Sequence, residues 1–214
     1  LEKWRTWSGP RDYLEALDKL VLGPNIACML GHSDLRTSAL GLGRSVDPSI
    51  RPSSGEMKTM LGVLEEALDA GFVGMSTMTN PWDKVAGDRY RSSKLPSANA
   101  SWWEYRQFNR VLRRRGRVLQ SAPNITTKLN VLLYLWDSMA WGGRALKTAL
   151  ISGADLKAEP FVVGLITWLA RTVNRWFGAD FRWQSLPVPF EVYSDGMQLV
   201  VFEEFGAGEA ALHL

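Results

Sequence analysis

The hydrophobic pattern of residues 53–80 predicts a helix that leads directly into a buried strand. Apolar residues recur at helical spacing, at Met57, Met60, Leu61, Leu64 and Leu68. A capping-box spacing between residues 53 and 56 predicts the start of this helix, and the glycine at position 71 predicts its end. The apolar run 72–75 then predicts a buried strand, which opens into small polar residues. This stretch therefore predicts one helix-to-strand step of a parallel sheet.

The same step recurs along the chain. Helical patterns cover residues 11–22, 101–116, 127–140 and 161–177, and apolar runs predict strands over 26–30, 117–120, 148–151 and 181–186. The connections that follow residues 32 and 80 are long, whereas most helix-to-strand joins are short. Long loops at the carboxyl ends of parallel strands are typical of barrel enzymes. We therefore predict an α/β fold of the parallel (β/α)8 TIM-barrel type, present as a partial barrel of about five βα units.

Length and composition agree with a piece of one barrel. The chain has 214 residues, of which 46% are hydrophobic and 22% charged. A closed barrel of this type usually needs about 250 residues, and the chain opens without methionine. We therefore expect residues 1–214 to be the central fragment of one barrel domain, with a weakly assigned tail at 187–214. No run of eighteen uncharged apolar residues occurs, so a membrane span is not expected.

Charge and cysteine usage narrow the classes of partner and compartment. The single cysteine, Cys28, excludes an intramolecular disulfide framework and favours a reducing, cytoplasmic compartment. A net charge of +3 is too small to indicate nucleic acid by itself. The basic run 110–117 lies at a predicted helix end, where cations interact favourably with the helix dipole. We interpret it as a solvated helix end, and the alternative is a phosphate-binding surface.

Polar residues follow the predicted strands, where a parallel sheet would place its ligand. The candidate substrate-binding residues are His32, Ser76, Ser121, Asn124, Asp155 and Lys157. His32 could pair with Asp34 as metal ligands, although a lone histidine after a glycine is more often a loop anchor that donates to a backbone carbonyl. Asp155 and Lys157 could be a general base and a carboxylate clamp, or a solvated salt pair. The sequence assigns no catalytic base and no metal ligand.

Two segments resemble a known family, the N-acyl-D-amino-acid deacylases of the amidohydrolase superfamily. Residues 25–36, NIACMLGHSDLR, resemble the family segment N-V-A-x-L-x-G-H-x-x-L-R. Residues 64–77, LEEALDAGFVGMST, are similar to the family segment L-x-E-A-L-x-A-G-A-x-G-L-S-T. The resemblance covers roughly residues 24–186, and the first third of that range carries the specific motifs. It implies a (β/α)8 barrel in which one or two zinc ions activate water for attack on an amide bond.

The resemblance also implies where this chain departs from the family. The chain would hold about the third to seventh barrel strands, and its partners would be a small N-acylated amino acid and the remaining barrel segments, with no nucleic acid and no membrane. The family has Ser-His at the ends of the fifth and sixth strands, where this chain has Ser121-Ala122 and Ser152-Gly153. These histidines are expected zinc ligands. Either metal is bound differently, with Asp155 as a candidate, or the chain is a non-catalytic relative that keeps the barrel.

Overall fold

The structure is a computed structural model that describes residues 7–81, 83–85, 89–90, 93–124, 129–151 and 161–184. Five parallel strands lie side by side in the order in which they occur along the chain. The strands are β1 (Met29–Gly31), β2 (Gly74–Met78), β3 (Val118–Ala122), β4 (Lys147–Leu150) and β5 (Asp180–Trp183). The helices are α1 (Pro10–Asp18), α2 (His32–Leu40), α3 (Leu42–Ser45), α4 (Ser54–Ala70), α5 (Trp102–Arg115), α6 (Leu129–Ser138) and α7 (Val162–Trp176).

This strand order confirms the predicted α/β architecture of the TIM-barrel type. Each strand from β1 to β4 is connected to its neighbour through at least one helix, as in the wall of a (β/α)8 barrel. A doubly wound sheet, in contrast, reverses its strand order partway across. The five strands therefore form an arc of the kind that a partial barrel requires.

The helix α4 and the strand β2 begin and end for the reasons that their sequence indicates. The Ser53 hydroxyl accepts a hydrogen bond from the Glu56 backbone N–H at 3.3 Å, and the Glu56 carboxylate accepts one from the Ser53 backbone N–H at 2.7 Å. Gly71 ends the helix with a φ of 121°, a conformation that favours glycine. The predicted capping box and helix end are both confirmed.

The two faces of the sheet have different surroundings. Successive residues of a strand point to opposite faces, so alternate positions share one environment. One set packs with the helices in the hydrophobic core and includes Leu30, Met75, Leu119, Leu150 and Phe181. The other set is less deeply buried. The apolar stripe of α4, with Met60, Leu64 and Leu68, completes the same core.

Several predicted boundaries differ from the structure. The segment predicted as a long connection after His32 contains the helices α2 and α3. The prediction missed them because the sparse apolar residues of this segment give only a weak helical period. Strand β1 begins three residues later than predicted, at Met29, and α1 ends four residues earlier than predicted, at Asp18. The long connection after residue 80 contains a 3-10 helix at Pro96–Asn99. The tail at 187–214 lies outside the described residues.

Within the described residues, no helix combines the length and the apolar character that a membrane crossing needs.

Candidate functional site

A buried polar cluster lies at the carboxyl ends of β1 and β2. His32 follows the last residue of β1 and opens α2, and its side chain has no solvent exposure. Its Nδ1 lies 2.9 Å from the hydroxyl of Thr77, which points from β2 toward the helices. The pairing of Gly31 with Ser76 in the sheet brings these two strand ends to the same height. The sheet register therefore places His32 and Thr77 within hydrogen-bond distance.

The charged members of this cluster come from two helices. Glu104, in the first turn of α5, lies with its Oε1 2.8 Å from Nε2 of His32. Its other carboxylate oxygen pairs with Arg36 of α2, and all three side chains are fully buried. Nε and Nη2 of Arg36 have no hydrogen-bond partner among the described residues. A carboxylate accepts only, so Nε2 of His32 is the donor in this pair.

Tyr105 connects this cluster to the long segment that follows β2. Its hydroxyl lies 2.9 Å from the Thr77 hydroxyl and donates to the carbonyl oxygen of Ser97 at 2.9 Å. The Ser97 hydroxyl in turn donates to the carbonyl oxygen of Met78. Burial raises the pKa of Tyr105 well above its usual value, so the phenol stays protonated. These bonds hold the 3-10 helix Pro96–Asn99 against the carboxyl edge of the sheet.

The position of His32 corrects one interpretation of the sequence. His32 lies at a helix start and bonds to the side chains of Thr77 and Glu104, so the expectation of a loop anchor bonded to a backbone carbonyl was wrong. Both ring nitrogens are engaged, so His32 and Asp34 do not form a metal-ligand pair in this arrangement. No group of three or more His, Cys, Asp or Glu side chains that could hold a metal occurs among the described residues. Burial raises the pKa of the half-buried Asp34 carboxyl.

The other candidates are divided between the two faces of the sheet. Ser121 is fully buried on the helix face, where its hydroxyl lies 2.7 Å from that of Tyr134 on α6. Ser76 lies on the opposite, more accessible face, next to Gly31 in the sheet. The backbone N–H of Asn124 donates to the Thr79 hydroxyl at 3.0 Å. Asp155 and Lys157 lie outside the described residues. Contact of any of these residues with a substrate stays a prediction.

The accessible face carries a row of residues that the sequence analysis missed. The register aligns one residue of every strand across the sheet: Gly31, Ser76, Gln120, Ala149 and Arg182. Four of the five are partly exposed, and the Arg182 side chain is 80% exposed while it donates to Asp180 at 3.3 Å. The row combines a hydroxyl, an amide and a guanidinium group. Residue parity within the strands was the signal that could have identified it.

Comparison with known sequences finds relatives over nearly the whole chain. Uncharacterized proteins of Mycobacterium bovis and Mycobacterium tuberculosis are 49% identical over 212 residues, which is 98% of this chain and 35% of those proteins. The chain thus spans about a third of the length of these relatives. An N-acyl-D-glutamate deacylase of Alcaligenes xylosoxydans xylosoxydans is 42% identical over 53 residues, 25% of this chain and 10% of that protein. No family profile matches the chain.

Comparison with solved structures finds the same fold in an enzyme. The crystal structure of N-acyl-D-glutamate deacylase from Bordetella bronchiseptica, complexed with zinc and a phosphonate inhibitor, matches with a TM-score of 0.62. The match has 22% sequence identity and covers 85% of this chain and 34% of the deacylase. The likeness extends over most of the five-stranded arc. This chain therefore shares the fold of the matched part of that deacylase.

Proposed function

We propose that this chain is part of a hydrolase that cleaves the amide bond of a small N-acylated amino acid, as the N-acyl-D-amino-acid deacylases do. The observation that carries the proposal is the likeness of the strand arc to a deacylase, over 85% of this chain. The match over 53 residues to a second N-acyl-D-glutamate deacylase supports it independently, from sequence. The remaining barrel segments of a longer parent would complete the site.

The row on the accessible face supplies groups that suit such a substrate. A guanidinium group pairs with a carboxylate through charge-assisted hydrogen bonds, so Arg182 would bind the α-carboxylate of an acylated amino acid. The Ser76 hydroxyl and the Gln120 amide can donate to and accept from the amide group of the substrate. The buried cluster of His32, Glu104 and Tyr105 would act indirectly, because it holds the 3-10 helix at the edge where the substrate would enter.

Zinc, which the family resemblance implies, does not fit the described residues. Among these, no three His, Cys, Asp or Glu side chains converge, and Ser121 and Ala122 stand where the resemblance expects Ser-His. The hydroxyl of Ser121 is directed to Tyr134 on the helix side of the sheet. A hydrolytic metal in the parent would therefore need ligands from outside the described residues. This chain is expected to supply substrate-binding groups and the wall of the barrel.

A non-catalytic barrel that binds the same ligand is the second candidate function. Ala122, which stands where the family resemblance expects a zinc-ligating histidine, favours it. Both candidates predict that an N-acyl amino acid binds, and only the hydrolase predicts release of the free amine. Fold alone does not decide between them, because one barrel fold hosts both classes.

The two candidates can be separated with the full-length parent protein, purified without chelator. We expect release of free amino acid from one or more N-acetyl-D-amino acids in a panel, measured with an amine-reactive dye. Arg182→Gln should raise KM about tenfold or more with kcat nearly unchanged, because a carboxylate clamp binds the ground state and the transition state alike. Arg175→Gln, an exposed arginine of α7, is the matched control and should leave both constants unchanged. Binding of the panel without amine release would favour the non-catalytic barrel.

A further inference from the structure

A pocket lies on the helical side of the molecule, away from the accessible face of the sheet. It has a volume of about 270 Å³ and is formed by α5, α6 and the turn that follows α6. Three arginines of α5, at positions 106, 110 and 113, line it. Their i, i+4 and i+7 spacing puts all three on one face of the helix, where like charges repel one another. The pocket therefore concentrates positive charge despite this repulsion.

The basic run 110–117 is divided between this pocket and an ion-pair network. Arg114 pairs with Glu65 of α4, and Arg115 pairs with Glu65 and Asp69 of the same helix. These two arginines therefore have a structural role, as expected of a solvated helix end. Arg110 and Arg113 turn instead toward α6 and the pocket. The run therefore divides into two arginines that form ion pairs with α4 and two that line the pocket.

The negative charge in the pocket wall does not balance the arginines. Asp137 of α6 accepts a hydrogen bond from the Asn109 side-chain amide at 2.9 Å, and it lies 3.8 Å from Nε of Arg106. The Arg113 guanidinium is bonded to the backbone carbonyl of Asp137 rather than to its carboxylate. Three guanidinium groups thus face one carboxylate, which leaves an excess of two positive charges. This excess favours an anion.

Two exposed tryptophans form the rest of the pocket. The rings of Trp136 and Trp141 lie with their centroids 4.3 Å apart and tilted by 45°, and the two residues are 51% and 55% exposed. Trp141 has a φ of 34°, a strained value for a residue with a side chain. Its indole N–H donates to the Trp136 carbonyl oxygen at 2.9 Å, which holds the ring in place. The strained backbone thus presents an apolar surface beside the arginines.

We propose that this pocket binds a small organic carboxylate that carries a planar apolar group. The guanidinium groups would pair with the carboxylate, and the indole rings would cover the apolar body. The volume lies just below the range typical of ligand sites, about 300–1,000 Å³, and so suits a small molecule. The helices α5 and α6 pack on the opposite face of the sheet from the row on the accessible face. This pocket is therefore separate from the proposed substrate site. It does not depend on the hydrolase proposal.

Ligand-observed NMR with the full-length parent protein at constant ionic strength tests this site. Benzoate is the probe. Benzamide is the neutral isostere, and inorganic phosphate is an anion without a ring. We expect saturable benzoate binding, with benzamide and phosphate each weaker by about tenfold or more, because both the charge and the ring contribute. Arg110→Gln should weaken benzoate binding about tenfold as well. Arg110 is exposed and contacts Gln107 of its own helix, so the fold should tolerate its replacement.

Arg114→Gln is the matched control, since Arg114 is an exposed arginine of the same helix that pairs with α4 instead. It should leave benzoate binding unchanged, and circular dichroism should show that both variants are folded. The proposal is overturned if benzoate shows no saturable binding, or if benzamide or phosphate binds as tightly as benzoate. Unchanged affinity in Arg110→Gln would overturn it too, because benzoate would then bind elsewhere.

Discussion

The carboxylate of Glu104 lies 2.8 Å from Nε2 of His32, and neither side chain is exposed to solvent. The two residues are 72 positions apart in the chain, so the contact joins the end of β1 to the start of α5. Glu104 also neutralises the buried Arg36. A charge that loses its partner in a buried site is costly, so this carboxylate stabilises the packing of α5 against α2.

Glu104→Gln should therefore destabilise the protein strongly. The substitution keeps the size of the side chain but leaves the Arg36 guanidinium without a compensating charge. We expect the free energy of unfolding to fall by about 3–5 kcal/mol, measured by urea denaturation. Glu65→Gln removes a partly exposed partner of Arg114 and Arg115 at the protein surface and should cost no more than about 1 kcal/mol. Similar losses in the two variants would contradict the buried-charge account.

Tyr105→Phe should loosen the 3-10 helix Pro96–Asn99 more than it lowers global stability. The substitution removes the hydroxyl that bonds to Thr77 and to the Ser97 carbonyl oxygen. A loss of about 1–2 kcal/mol is expected, with faster amide hydrogen exchange around Ser97. Ser138→Ala removes a buried hydroxyl that donates to the Leu135 carbonyl oxygen of α6 instead. It is the control, and exchange around Ser97 should not respond to it.

Two glycines predict opposite effects of the same substitution. A Cβ at Gly74 of β2 would overlap the carbonyl oxygen of Val118 on the neighbouring strand. Gly74→Ala should therefore cost on the order of 3 kcal/mol, because the two backbones would have to separate. Gly62 lies exposed within α4 with open space around it, so Gly62→Ala should gain about 0.5–1 kcal/mol. Thermal melts of the two variants should shift in opposite directions, and shifts of the same sign would refute the prediction.

The capping box of α4 predicts a pH dependence. Hydrogen bonds from the Arg44 side chain and from Ser53 lower the pKa of Glu56 from 4.5 to about 2. Because the pKa is lower in the folded state, the contribution of Glu56 to stability is present above pH 4.5 and is lost as the pH falls toward 2. Carbon-13 NMR of the Glu56 carboxyl should give a titration midpoint near 2.

Arg44→Gln is the matching variant for that titration. It removes the largest cause of the shift while the Ser53 contacts remain, so the midpoint should rise toward the ordinary value. If the wild-type midpoint already lies near 4.5, the Arg44 contact is absent in solution and the prediction is wrong.

The sequence predicted the local features of the fold because local rules determine them. The apolar stripe of α4, its capping box and the glycine at its end are encoded within about twenty residues, and all three are present in the structure. The parallel barrel arc could also be predicted from the sequence, because the helix-to-strand step repeats along the chain. The resemblance of residues 25–36 and 64–77 to deacylases led to the same fold, which the structural comparison supports.

The candidate site was less predictable because it depends on contacts between distant residues. At the start of α5 the Ser101 hydroxyl accepts a hydrogen bond from the Glu104 backbone N–H, which is a local contact. The Glu104 side chain, however, turns to His32 and Arg36, which lie far away in the sequence. Ser121 ends on the helix face because residue parity, rather than position at a strand end, determines the face.

The most direct test of the proposed function is the comparison of N-acetyl-D-glutamate with N-acetyl-L-glutamate as substrates of the full-length parent protein. Amine release is measured with and without added zinc. We predict that the D-enantiomer is hydrolysed with a kcat/KM at least about a hundredfold higher than that of its mirror image, because a three-dimensional site distinguishes them in the transition state. No amine release from either enantiomer, with or without zinc, would contradict the hydrolase and leave the ligand-binding barrel as the function of this fold.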